Sequence, residues 1–79
     1  MGNSDSWLND RFGKRLKQIR EEESKTQESF AKRVGLSLRY YQEIEAGEKF
    51  PSASTLEMFH EKTGRKVKEF FDFSQLQAD

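Results

Sequence analysis

The 79-residue chain has no cysteine, one histidine and one proline. Without cysteine there is no disulfide, no thiolate nucleophile and no sulfur-ligated metal, a composition that suits a reducing compartment. His60 is the lone histidine and no second ligand type clusters beside it. It reads as a packing residue rather than a metal ligand or pH switch, and no metal is expected. A Gly-rich phosphate loop is missing too, so the catalytic inventory is thin: neither enzymatic activity nor a cofactor is expected. No apolar run approaches the roughly 20 residues of a membrane-spanning helix. The start lacks a signal-peptide pattern, so the expected location is the cytoplasm, with no membrane partner. The opening residues Met1–Ser6 formally fit an N-myristoylation pattern, read as a chance match. An excess of either charge is also lacking, since 14 basic and 14 acidic residues sum to zero.

What the sequence does have is helical patterning at the scale of one small domain. The segment Gln27–Ile44, QESFAKRVGLSLRYYQEI, is the most informative. Phe30, Ala31 and Val34 fall on one face of a helix that Thr26 can N-cap. Ala31 is small enough to let a second helix cross nearby. Gly35 ends the first helix, because a left-handed conformation is cheap without a Cβ. Leu36 then drops into the core, Ser37 caps the second helix, and Tyr41 and Ile44 pin its inner face. Leu38, Arg39, Tyr40, Gln42 and Glu43 are left facing outward. The spacing predicts two short helices across a tight turn, the second able to enter a DNA major groove.

Around this unit, Leu8, Phe12, Leu16 and Ile19 predict a first helix over residues 7–22, with Gly13 allowing close packing. The next helices are expected over 27–34 and 38–46, with Gly47 as the stop. Pro51 blocks helix through the following loop. A fourth helix over 53–62 is capped by Ser52 or by Ser54, the latter forming a capping box with Glu57. Gly64 ends it, and a fifth helix spans 67–71 with Val67 and Phe70 closing the core. Residues 1–6 are expected to be a disordered tail, 7–73 the folded domain and 74–79 a second tail. The Glu21–Glu22–Glu23 run reads as a solvated helix end.

From Phe12 to Phe71 the chain resembles the Cro/phage-repressor (XRE-like) helix-turn-helix regulators. The matching words are LKQIREEESKTQESFAKRVGLS, YYQEIEAGEKFPS and TGRKVKEFF. Within them stand Arg20 near the end of helix 1, Thr26–Gln27 opening helix 2, Ile44–Glu45–Ala46–Gly47 closing helix 3, and Pro51–Ser52 before helix 4. The resemblance implies an all-α, five-helix, lambda-repressor-like DNA-binding domain with its helix-turn-helix in helices 2 and 3. It also implies bacterial or phage context and double-stranded DNA as partner. Tyr41 departs from the family's usual Ile or Val, and its hydroxyl needs a partner if buried.

The resemblance places Gln27 and Lys49 on DNA phosphate and pairs Arg20 with Glu45 as a structural ion pair. It puts the first turn of helix 3 on base edges. Arg39 is the leading base reader, since Arg can be bidentate to guanine. Leu38 suits a thymine methyl, Tyr40 a methyl or a phosphate, and Gln42 lies one turn further on. Glu43 either accepts from cytosine N4 or pairs with Arg39 within the chain. Ser37 is a cap and a phosphate candidate; Lys25 and Lys32 are weaker phosphate candidates.

Phe71, Phe73 and Leu76 read as an exposed apolar dimer interface, or else as segments folding back onto Trp7 and Leu8. The leading functional expectation is a homodimeric, sequence-specific transcriptional regulator on a pseudo-palindromic operator, of phage-repressor, restriction-modification-controller or antitoxin kind. The alternative is a protein-interaction module, such as an antitoxin holding a toxin, with weak DNA binding. RNA polymerase is a further possible partner.

Overall fold

A computed structural model describes residues 6–76. It places four α-helices in the order α1 (Ser6–Glu22), α2 (Gln27–Val34), α3 (Leu38–Glu45) and α4 (Ala53–Thr63), followed by a 3-10 helix, Val67–Phe71. The fifth predicted helix is therefore a 3-10 turn rather than an α-helix. Five residues form too short a segment to nucleate an α-helix unaided, and the tighter winding serves in such pieces. The myristoylation pattern and all but the last residue of the expected N-terminal tail lie outside the described residues.

Local chemistry sets the ends of α2, α3 and α4. Thr26 caps α2 by accepting from Ser29 N, and Ser29 reciprocates toward the Thr26 backbone. Ser37 caps α3 by accepting from Tyr40 N at 3.1 Å. The choice left open for α4 falls to Ser52, which accepts from Thr55 N at 3.2 Å. Gly35, at φ 82°, takes the left-handed conformation that closes α2. Ala46 caps α3, so the helix ends one residue before the expected stop.

The core is one cluster of Phe12, Leu16, Ile19, Phe30, Ala31, Val34, Tyr41, Ile44, Phe59 and Phe70. Of the face predicted for α1, Phe12, Leu16 and Ile19 are buried, while Leu8 is half-buried and outside the cluster. Leu36 packs against this cluster only partly buried, and Val67 is exposed, so Phe70 alone of the expected pair closes the core. Phe70 lies 5.5 Å from Phe59 and 6.5 Å from Phe12, ring centre to ring centre.

α1 packs across α3, and Gly13 explains how closely. A Cβ on Gly13 would sit 2.4 Å from the Glu45 carbonyl oxygen and 2.7 Å from that of Ile44. The absence of a side chain here seats the C-terminal end of α3 directly on α1.

The triple-glutamate run is only in part a solvated end: Glu21 and Glu22 are exposed, but Glu23 is half-buried. Glu22 and Glu23 both meet the Arg65 guanidinium, at 3.3 and 3.1 Å, and Glu23 also pairs with Arg33 of α2. Arg65 and Arg33 come from residues distant in sequence, so helix spacing alone does not reveal these pairs. Arg15, a basic residue of α1, turns inward. Its Nε donates to the Glu69 carbonyl at 2.7 Å.

Candidate nucleic-acid interface

The outer side of α3 is positioned by the carboxylate at its C-terminal end. Arg20 donates to Glu45 twice, Nε to Oε2 and NH2 to Oε1, each at 2.9 Å. The pair is well shielded, with side-chain exposures of 12% for Arg20 and 5% for Glu45. Gln27 Nε2 donates to Oε1 at 2.8 Å, and the Tyr41 hydroxyl donates to Oε2 at 2.5 Å. Arg20 NH1 also donates to the Lys25 carbonyl at 2.9 Å. The Glu45 carboxylate therefore ties together α1, the start of α2 and α3, and Arg20 extends the tie to the α1–α2 turn. Tyr41, the residue that departs from the family pattern, finds its hydroxyl partner here.

The electrostatics follow. Burial pushes the Glu45 carboxyl up, but hydrogen bonds from Arg20, Tyr41 and Gln27 outweigh it and hold the group below its ordinary value. The hydrogen bond to Glu45 raises Arg20. Burial, reinforced by donation to Glu45, drives the Tyr41 phenol well above its ordinary range.

On this base stand the residues expected to meet DNA. Arg39 projects into solvent with 89% of its side chain exposed. Leu38 beside it is exposed, as is Gln42, which donates to Gln27 Oε1 at 3.1 Å. Gln27 thus bridges Glu45 and Gln42, a link between the first turn of α2 and the outer face of α3.

Two residues expected to face outward are half-buried instead. The Tyr40 hydroxyl lies 3.4 Å from Thr55 Oγ1 and accepts weakly from Ser52 N at 3.5 Å. Interaction with Thr55 lowers its pKa against the upward push of burial. Tyr40 therefore leans on the N-terminus of α4 rather than standing free. Glu43 faces two cations: Arg39 Nε lies 3.6 Å from Oε2, and Lys49 Nζ lies 3.2 Å from Oε1. The intramolecular alternative for Glu43 is the arrangement present.

Ser37 precedes α3, Lys49 follows it in the next loop, and Lys25 lies in the α1–α2 turn. Ser37 is committed as an acceptor to its cap, leaving its hydroxyl proton to donate. Lys49 keeps 56% of its side chain exposed.

Phe71, Phe73 and Leu76 are half-buried within the chain. The Phe71 ring centre is 5.2 Å from Phe12, 6.1 Å from Phe50 and 6.3 Å from Phe73. Leu76 N donates to the Phe73 carbonyl at 3.1 Å, and Gln18 Nε2 to the Gln75 carbonyl at 3.3 Å. Helical spacing does not mark Phe50 as part of this group, because its place beside Phe12 depends on the path of the loop after α3. His60 Nδ1 sits 2.8 Å from the Arg65 carbonyl, closing the turn after α4.

A shielded ion pair between α1 and α3 holds a capped two-helix unit whose second helix projects Arg39, an arrangement that suits a DNA-binding transcriptional regulator. The chain belongs to the helix-turn-helix family, whose model, described as a helix-turn-helix domain, matches residues 13–77. It is similar to the control protein C.MunI of a Mycoplasma species, with 39% identity over 62 residues, 77% of this chain and 84% of that protein. No solved structure matches the chain.

Proposed function

We propose that the protein acts as a homodimer on a pseudo-palindromic operator, with α3 of each copy in a major groove. Arg39 reads guanine through its terminal nitrogens, and Leu38 packs on a thymine methyl. Tyr40, Gln42 and Glu43 line the remainder of the base-facing surface. Gln27, Ser37, Lys49 and Lys25 hold phosphates, Gln27 with help from the N-terminus of α2. One observation carries this reading: Arg39 is 89% exposed on the first turn of a helix whose far end is locked to α1 through Glu45. A rigid support with one projecting guanidinium is what base readout requires.

Among the regulatory settings, the similarity to a protein named a control protein favours a restriction-modification controller over a phage repressor or an antitoxin. Output then follows protein concentration, through operator occupancy that blocks RNA polymerase or contacts it from upstream. Phe71, Phe73 and Leu76, each partly exposed, supply the apolar surface for the second copy, with Phe50 beside Phe71.

Fluorescence anisotropy tests this with DNA from just upstream of the protein's own gene and a random duplex as control, over a salt series. Upstream DNA binds more tightly, with log K falling as log salt rises. Arg39→Ala loses about 1–3 kcal/mol on the upstream DNA and less on the random duplex. Equal, negligible binding to both at low salt contradicts the reading and favours the protein-interaction alternative, for which the exposed Trp7 offers a contact.

A further inference from the structure

Glu43 occupies the space between the two cations that α3 and its trailing loop present. The backbone builds that arrangement. The Glu43 carbonyl accepts from Glu48 N at 2.9 Å and from Lys49 N at 3.2 Å, turning the loop back so that Lys49 Nζ returns to the carboxylate of the same residue. The anion sits inside, 20% exposed, while Arg39 and Lys49 extend beyond it.

Helix stability does not call for this placement. An i,i+4 pair with the cation N-terminal is the weaker orientation. A carboxylate in the last turn opposes the helix dipole, and α3 has no basic residue in its last turn to offset it. Nor does phosphate attraction call for it, since a carboxylate beside the DNA backbone repels it.

We propose that Glu43 is a specificity-determining residue, an internal counter-anion that discriminates against DNA of arbitrary sequence. The inference rests on the DNA-binding reading given above. On random DNA, Arg39 and Lys49 have only phosphates to meet. Each phosphate contact replaces a contact to Glu43 and leaves its carboxylate facing the backbone, so the gain is small. At the operator the balance differs. Glu43 faces Nε of Arg39, which leaves both terminal nitrogens for O6 and N7 of guanine. Cognate binding therefore retains the Arg39–Glu43 contact and uses it to orient the guanidinium, whereas random binding gives it up.

The test compares wild type, Glu43→Gln and Glu48→Gln on the upstream DNA and on a short random-sequence duplex over a salt series. Glu48→Gln makes the same charge change in the adjoining loop, at an exposed residue with no ion pair among the described residues. Thermal melts establish that both variants fold. Glu43→Gln is expected to bind the random duplex about threefold or more tighter, with a salt slope steeper by about one. Its operator affinity moves less, so the ratio of specific to random binding falls, and Glu48→Gln gives a smaller rise. Random binding that is unchanged or weaker overturns the proposal, as does an equal effect from Glu48→Gln. A loss confined to the operator also overturns it and assigns Glu43 to cytosine N4 instead. If wild type binds DNA in an Arg39-dependent way and ignores Glu43→Gln, this proposal fails alone. If no protein binds either DNA at low salt, the DNA-binding reading fails with it.

Discussion

At the scale of single residues, Glu45 bears the greatest share of the architecture. Its carboxylate accepts from Arg20, Gln27 and Tyr41, so truncation leaves a shielded guanidinium, an amide and a phenol without their common acceptor. Glu45→Ala is expected to cost about 3–5 kcal/mol, read as a large drop in melting temperature. Tyr41→Phe removes one of several donors and costs about 1 kcal/mol. The same group sets the acid limit of stability. Because its folded pKa lies below its unfolded value, its contribution is fully present above the ordinary carboxylate pKa of about 4.3. That contribution is lost as pH falls through the depressed folded value. Tyr41 acts in the opposite sense. Its raised pKa makes its contribution complete below about pH 10, and stability declines above that as the unfolded phenol ionises. Chemical denaturation across pH is expected to show a plateau between these limits, with the acid shoulder reduced in Glu45→Ala.

At the scale of elements, the seating of α3 on α1 depends on Gly13. Ala has the better helix propensity, yet Gly13→Ala is expected to destabilise by about 1–3 kcal/mol, because its Cβ would meet the Ile44 and Glu45 carbonyls. A melting temperature equal to or above wild type would show that α3 shifts without cost. The helices themselves were legible in the sequence because caps and stops are local. Thr26, Ser37, Gly35 and Gly64 announce their roles through neighbours within a few residues. The Arg20–Glu45 pair was legible only through family resemblance, since twenty-odd residues separate the partners. Gln27 and Tyr41 as further donors to Glu45 were not legible, nor was the inward turn of Arg15. Each depends on how helices cross, which periodicity does not encode. Tyr40 and Glu43 were assigned outward by helical phase, but α4 and the loop to Lys49 rise beside that face and partly cover them.

At the scale of the whole molecule, a network of charges joins the helix-turn-helix to the C-terminal segment. Glu23 pairs with Arg33 at the end of α2 and with Arg65 ahead of the 3-10 helix, and Arg65 also meets Glu69 within that helix. Arg65→Ala is expected to loosen residues 67–71, read as faster amide exchange there, while α2 and α3 keep their protection. Equal protection in the variant would mean that Phe70 and the Arg15 contact to Glu69 suffice. Among the described residues Asp10, Glu22, Glu23, Glu43, Glu45 and Glu69 are held in ion pairs, and the chain as a whole is neutral. Zero net charge gives no overall attraction to DNA, and on the proposed reading the weight of recognition falls on α3. The most direct measurement of that claim is an amide-resolved NMR titration with duplex DNA from upstream of the gene. Shifts concentrated at Gln27, at residues 37–43 and at Lys49, and weakened by Arg39→Ala, are the predicted result. Shifts confined to residues 67–76, or none at all, would contradict it.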